Sequence, residues 1–338
     1  MFTRPPELSD EAIRASAFEH WGFDAVDLSY EPVGFGAHHW RAVSGSGDAR
    51  FLTVHDLTAK RRDETEPEDR VFERLTASFA SAAALASAGL GFVVAPTPAI
   101  DGRIVDRLDP RFTLAVHPYL QGRPAGRDGA FESSDDRMAV LDLVIQVHGA
   151  TAAAAAGAER DTLLVPHLDA IATALDEVAA RPWSAGPYAE RARALLEPRA
   201  PGVERLLLAY EQLRVEVHQL HDRAVLTHGE PHAGNVLVVA GSFHLIDWDT
   251  ALVAPAERDL WDLDPGDGSV LDAYARATGV VPSAAALDLY RLWYDLAEIG
   301  QYLGELRRPH ADTADIAESW QNLQHFLQPA ERWPGIAG

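Results

Sequence analysis

The sequence contains no cysteine, which excludes disulfide bonds and thiolate metal sites. Lysine is almost as scarce: of 29 basic residues only Lys60 is a lysine, and the rest are arginine. No run of about 18 consecutive apolar residues occurs, so there is no candidate membrane-spanning helix. Residues 1–14 lack the apolar segment of a secretory leader, and a soluble cytoplasmic protein is expected. The 14 histidines include no HExxH zinc pattern. Positive charge is outweighed by 51 acidic residues, for a net charge of −22. That balance repels phosphate backbones and anionic lipid, so neither nucleic acid nor a membrane is expected as a partner. A cationic small molecule would be attracted, although the same charge also serves solubility.

What remains is a globular composition. The 338 residues are 47% hydrophobic and 24% charged, enough for a substantial core and two lobes. The most informative stretch is 225–263. An apolar run leads into His228-Gly229-Glu230-Pro231-His232-Ala233-Gly234-Asn235, followed by an apolar segment, a Gly241-Ser242 turn, a second apolar segment and Ile246-Asp247-Trp248-Asp249. Two short apolar segments joined by a Gly-Ser turn predict a hairpin with polar residues at both ends. Glu230, Asn235 and Asp247 can then converge on one point. An ordinary hairpin bearing solvated acids fits the same pattern. Convergent carboxylates and an amide suit phosphoryl transfer, in which one carboxylate orients a hydroxyl while the other groups hold Mg²⁺ against nucleotide phosphates.

These motifs resemble the aminoglycoside phosphotransferase family of small-molecule kinases, whose usual pattern is His-Gly-Asp-x-His-x-x-Asn followed by Ile-Asp-Trp/Phe-Asp/Glu. The segment Ala254-Pro255-Ala256-Glu257-Arg258-Asp259-Leu260 is closest to the spectinomycin phosphotransferase branch. The resemblance implies an α+β, two-lobed, protein-kinase-like fold. Residues 1–120 would form a small nucleotide-binding lobe with an antiparallel sheet, and 121–338 a larger, mainly helical lobe carrying the catalytic hairpin and substrate site. It implies an ATP- or GTP-dependent transfer to a hydroxyl of a small polar or cationic acceptor, aminoglycoside-like or aminocyclitol-like. Glu230 would be the base, His228 a brace for the loop, and Asn235 and Asp247 the Mg²⁺ ligands. Asp259 would support the loop. Antibiotic resistance, self-protection and primary metabolism all use such chemistry.

The remaining elements follow the chain. Ser9 and Asp10 open a predicted helix over 9–21. Strands are predicted over 26–33, 38–43, 50–55, 92–94, 100–105 and 112–120, and a helix over 68–88 ending near Gly89. The turn containing Gly34 and Gly36 is a candidate phosphate-covering loop, or a plain hairpin turn. His117 and Tyr119 belong to a segment resembling the family's adenine-binding linker. Helices are predicted over 137–150, 168–179, 189–196, 203–222, 269–277, 283–306 and 313–327. His148, on an apolar stripe, reads as a core histidine.

Two departures from the family pattern stand out. The usual catalytic Asp is Glu230, longer by one methylene, where a misplacement of about 1 Å can cost 10²-fold in rate. The usual third-strand lysine is Thr53. Arg41, a folded-back Lys60, or Mg²⁺ with backbone donors could replace its charge; Arg41 is the preferred candidate. Without the lysine, Glu73 loses its usual partner. Both departures also fit a nucleotide-binding pseudokinase with little or no transfer. A third reading retains catalysis with a peptide hydroxyl or a different transferred group. Asp288, Asp295, Glu298 and Glu305 form one helical stripe beside Trp293 and Tyr294. From it, Asp295, Glu298 and Trp293 are candidate substrate contacts, as is Asp249, while a solvated helix face explains the stripe equally.

Overall fold

A computed structural model describes residues 1–127 and 129–337. Helix α1 (Asp10–Trp21) begins where the Ser9 side chain accepts the Ala12 N–H, and ends at Gly22 with φ of 64°. Strands β1 (Ala25–Glu31), β2 (His38–Ser44), β3 (Ala49–Asp56), β4 (Asp106–Arg107) and β5 (Phe112–Pro118) form an antiparallel sheet ordered β1-β2-β3-β5-β4. One face buries Trp40, Leu52, Val54 and Leu114 against Ile13 and Ala17 of α1. Helix α2 (Glu68–Ser87) contributes Leu75, Phe79 and Ala82 to a second core that includes Ala115 of β5.

Residues 100–105 do not form the expected strand. Asp101-Gly102 turns the chain, with Gly102 at φ 86°, and Arg103 is tied to Asp101 and Asp106. Only the two residues of β4 are left to pair with β5. Val93, within the short strand expected over 92–94, makes an isolated bridge to Leu245.

The chain then passes into β6 (Arg123–Pro124), β7 (Gly126–Arg127) and β8 (Ala130–Phe131), followed by α3 (Ser134–Gly149), α4 (Thr151–Ala154), α5 (Leu168–Glu177), α6 (Ala189–Leu196) and α7 (Ala200–Val217). Tight 3₁₀ turns replace the last residues of the helix expected to reach 222. Strand β9 (Val225–Thr227) precedes the hairpin β10 (Val236–Val239) and β11 (Ser242–Leu245), then β12 (Leu252–Ala254) returns to β9. Helices α8 (Glu257–Leu263), α9 (Ser269–Thr278), α10 (Ala284–Arg307), α11 (Ala314–Phe326), α12 (Pro329–Arg332) and α13 (Pro334–Ala337) complete the large lobe. Central to it is α10, whose Leu289, Leu292, Leu296, Ile299 and Leu303 recur at three and four residues and are fully buried.

The result is a two-lobed, kinase-like α+β fold. The core shared by α2 and the hairpin fixes the site, because Leu75 and Phe79 pack in one cluster with Leu245 and Trp248 on either side of the cleft. Among the described residues, no helix is long and apolar enough to cross a membrane.

Candidate active site

The loop between β9 and β10 is held from below by α8. The buried Asp259 carboxylate accepts the backbone N–H groups of His228 at 3.0 Å and Gly229 at 2.6 Å, and meets His148 Nε2 at 3.0 Å. These contacts keep its pKa below the ordinary value despite burial. His148 is therefore a core histidine with a defined task. Arg258 donates to Thr227 Oγ1 and to the Thr250 carbonyl. Gly229 is needed here, since at φ 106° a Cβ would lie 2.5 Å from the Arg258 guanidinium.

His228 joins the two acidic segments. Its Nε2–H donates to the Ile246 carbonyl at 2.8 Å while Nδ1 accepts the Glu230 N–H at 3.3 Å. Burial lowers its pKa to about 4, so it is a neutral brace at ordinary pH. Asn235 donates its amide N–H to the Glu230 carbonyl at 3.0 Å and lines the cleft beside Asp247. Asp247 itself has φ of 63°, a left-handed conformation for a non-glycine residue, adopted beside the cleft.

Asp247, Asp249 and Glu230 crowd together in a buried setting. Burial and then the Asp249 charge raise the pKa of Asp247 well above the ordinary value, and the same causes raise that of Glu230. Asp249 is brought down to about 2 because Lys60 outweighs its burial. The Lys60 ammonium donates directly to Asp249 and is held protonated by Asp249, Asp247 and Glu230 against the opposing effect of burial. His55, fully buried with both ring nitrogens unpartnered, lies 3.9 Å from Asp249, and burial keeps it neutral.

Three carboxylates against one ammonium leave the cluster short of positive charge. A divalent cation would supply it. Asn235 and Asp247 offer two hard oxygen donors, the small protein share suited to Mg²⁺, whose other ligands are phosphate and water. Among the described residues there is no His, Asp and Glu group forming a self-contained metal cage.

Asn235 and Asp247 line a cavity of about 430 Å³ between the lobes. Its walls are apolar, with Val33 and Phe51 above and Leu237 and Ile246 below, as a purine ring requires. Gly34, Thr53, His117 and Tyr119 line it too. The His117 pKa is lowered to about 4 by burial, so a neutral ring faces the cavity. Gly36 sits farther along the same loop, at φ 97°, where a Cβ would lie 3.5 Å from the Lys60 ammonium. Arg41, the preferred substitute for the missing lysine, stacks instead over Tyr119 at 5.2 Å, at the outer rim. Glu73 is exposed and pairs with Arg70.

A second cavity, of about 540 Å³, lies on the far side of Glu230 and is lined by His232, Trp261, Asp262, Asp264 and Tyr294. Asp264 is neutralised by Arg291 at 2.8 Å. Asp262 accepts the His232 backbone N–H but has one buried oxygen with no partner, and burial lifts its pKa to about 7. Trp261 and Tyr294 form an aromatic pair, 5.1 Å between centroids. Asp262 and Trp261 escape the sequence reading. Their only signal is spacing, because Asp259 and Asp262 are three apart on one helical turn.

The stripe on α10 divides. Asp295, expected to contact substrate, is buried in a bidentate ion pair with Arg332 at 2.6 and 2.8 Å and also accepts the Trp333 indole N–H. Its charge is spent on anchoring α12. Trp293 donates to the Leu164 carbonyl and lines a separate 370 Å³ cavity with Lys60 and Asp249. Tyr294, about 100° further around the helix, is the aromatic that faces Glu230. Glu298 accepts the Tyr302 hydroxyl at 2.6 Å, and burial raises its pKa to about 7.

Comparison with known proteins agrees with this architecture. The model of the phosphotransferase enzyme family, APH, matches residues 32–293. Protein StrN of Streptomyces griseus is 31% identical over 265 residues, spanning 72% of this chain and 74% of that protein. Spectinomycin phosphotransferase APH(9)-Ia, solved with ADP and spectinomycin, superposes with a TM-score of 0.73 at 16% identity, covering 96% of this chain and 98% of that one. Amicoumacin kinase hAmiN, solved with AMP-PNP, Ca²⁺ and Ami, gives 0.51 at 12% identity, with 95% and 93% covered. At such identities the structures speak for the fold, whereas the family match extends through the loop between β9 and β10 and through α8. The chain belongs to the phosphotransferase enzyme family.

Proposed function

We propose that the protein transfers the γ-phosphoryl group of ATP, or of GTP, to a hydroxyl of a small cationic acceptor of the aminocyclitol or aminoglycoside type. One observation carries the reading: the 228–247 segment presents Asn235 and Asp247 to the apolar interlobe cavity and Glu230 to the acidic, aromatic cavity on its other side. The proteins of similar fold that were solved with ADP or AMP-PNP support nucleotide binding.

In this mechanism the purine lies between Val33 and Leu237, and the phosphates run beneath Gly34 and Gly36. Mg²⁺ held by Asn235 and Asp247 would neutralise charge on the phosphates and orient them. Glu230 accepts a hydrogen bond from the acceptor hydroxyl and takes its proton as the oxygen bonds to the γ-phosphorus and the bond from that phosphorus to the β–γ bridging oxygen breaks, releasing the nucleoside diphosphate; burial and the Asp249 charge raise its pKa and so its basicity. Asp262, with its unpartnered oxygen, and the Trp261 and Tyr294 rings receive an ammonium group.

The decisive assay is Mg²⁺-dependent ATP consumption with a panel of aminocyclitols, aminoglycosides and simple sugars, the product identified by mass. Turnover with one acceptor class is expected, reduced about 10²–10⁴-fold in Glu230→Gln. Nucleotide binding with no turnover on any acceptor would favour the non-transferring module that Thr53 and Glu230 also suggest.

The acceptor cavity gives a pH dependence of definite sign. Asp262 lines that cavity and burial raises its pKa to about 7, so it gains a proton as pH falls through that value. The acidic cavity then loses negative charge, and the affinity for an amine acceptor is expected to drop. Asp262→Asn should flatten the KM profile above neutrality while leaving nucleotide affinity unchanged. A profile identical to that of the wild type would remove Asp262 from the acceptor site.

A further inference from the structure

The cation missing from β3 is the strongest open question in the cleft. Thr53 is buried on the inner side of β3, in register with His39 and Ala115, and carries no charge toward the phosphates. The chain's single lysine lies seven residues later, on the turn that follows β3. Its side chain folds back beneath the glycine loop to Asp249.

That turn is not loosely placed. The Lys60 N–H donates to the Asp56 carbonyl at 3.0 Å, and Asp56 also caps the Thr58 N–H at 2.9 Å. From α2, Arg74 donates to the Lys60 carbonyl at 2.8 Å and pairs with Glu66 at 3.1 Å. In kinase-like folds the helix after the third strand ordinarily offers a glutamate to the strand lysine. Here α2 offers an arginine to the lysine's backbone, and Asp249 holds its ammonium. The fixing function has passed to different atoms.

The ammonium has three N–H donors, one of which is directed at Asp249. It sits where two cavities adjoin: Gly34 and Asp247 line the nucleotide cavity, whereas Gly36, Lys60 and Asp249 line the neighbouring one. A triphosphate running from the apolar slot under Gly34 toward Asp247 ends beside Lys60. We infer that Lys60 is the relocated phosphate-binding lysine of this protein, contacting the nucleotide phosphates from the turn after β3 while Asp249 orients it. This rests on the kinase reading above.

The test compares Mg²⁺–ATP and adenosine binding by calorimetry in the wild type, Lys60→Ala, and Lys60→Ala combined with Thr53→Lys. Lys60→Ala is expected to weaken Mg²⁺–ATP about tenfold or more, the scale of a lost charge-assisted contact, and to leave adenosine binding within about twofold. Returning a lysine to the strand should recover part of the loss. Unchanged Mg²⁺–ATP affinity in Lys60→Ala overturns the inference, and so does an equal loss for adenosine, which would mark a structural role. Should that variant not fold, the wild type serves directly with an ATP acyl phosphate, which acylates an amine near the bound phosphates and releases ATP. Acylation of Lys60 that excess Mg²⁺–ADP suppresses supports the assignment; ATP binding with no acylation there overturns it. A wild type that binds neither adenosine nor ATP removes the kinase reading itself, and the inference with it.

Discussion

Asp247→Asn is expected to reduce phosphoryl transfer by about 10²–10³-fold or more, the scale found when one preorganised charge-stabilising contact is lost. Its effect on stability should have the opposite sign. Asp247 is a buried carboxylate pressed by Asp249 and Glu230, and those neighbours together with burial drive its pKa upward. Neutralising it removes repulsion from the folded state. Asparagine also tolerates the left-handed backbone that Asp247 adopts. The melting temperature of the apoprotein should therefore hold or rise while Mg²⁺-dependent nucleotide affinity falls. Thermal melts with and without Mg²⁺–ATP would read both effects. An apoprotein that melts well below the wild type would mean that Asp247 is a structural acid, and retained Mg²⁺-dependent binding would exclude it as a metal ligand.

Asp259→Ala should fail in both respects at once. The carboxylate accepts from His228 and Gly229 and is partnered by His148, all buried. Removing it strands these groups without water, and breaking a buried charged partnership of this kind costs about 3–5 kcal/mol. Denaturant unfolding should show a loss of that order, with activity falling because the loop carrying Glu230 is no longer fixed. A stability change below about 1 kcal/mol, the ordinary effect of a substitution outside such networks, would show that Arg258 and Thr250 hold the loop unaided. The two aspartates lie twelve residues apart in sequence and serve opposing ends: one is kept at a cost to stability, the other supplies it.

The fold class and the family were legible from 228–263 because that information is local. Strand, loop, hairpin and acidic residues follow one another at fixed spacing, and the backbone period determines which of them face together. What escaped is long-range. A folded-back Lys60 is one of three alternatives in the sequence, but nothing local shows that it reaches Asp249, 189 residues away. Asp295 fits an acidic helix stripe, but its partner Arg332 arrives from α12. Trp293 and Tyr294 are neighbours in sequence and face different cavities, a distinction that depends on how α10 is rotated against α8. Asp262 carries no motif of its own; it becomes notable only when packing buries one of its oxygens without a partner.

The tip of the glycine loop carries one further implication. Phe35 lies between Gly34 and Gly36, and its ring packs against the large-lobe core beside Tyr302, 6.3 Å between centroids. The glycine loop is thus fastened to the opposite lobe by an aromatic side chain. Lifting the loop must also draw that ring out of its contacts. For a fully buried side chain of this class the penalty is about 1.5–3 kcal/mol, and for the half-buried Phe35 it is a fraction of that. Lifting of the loop and separation of the lobes become a single event, and Tyr302, which also donates to Glu298, links that event to a buried acid of α10.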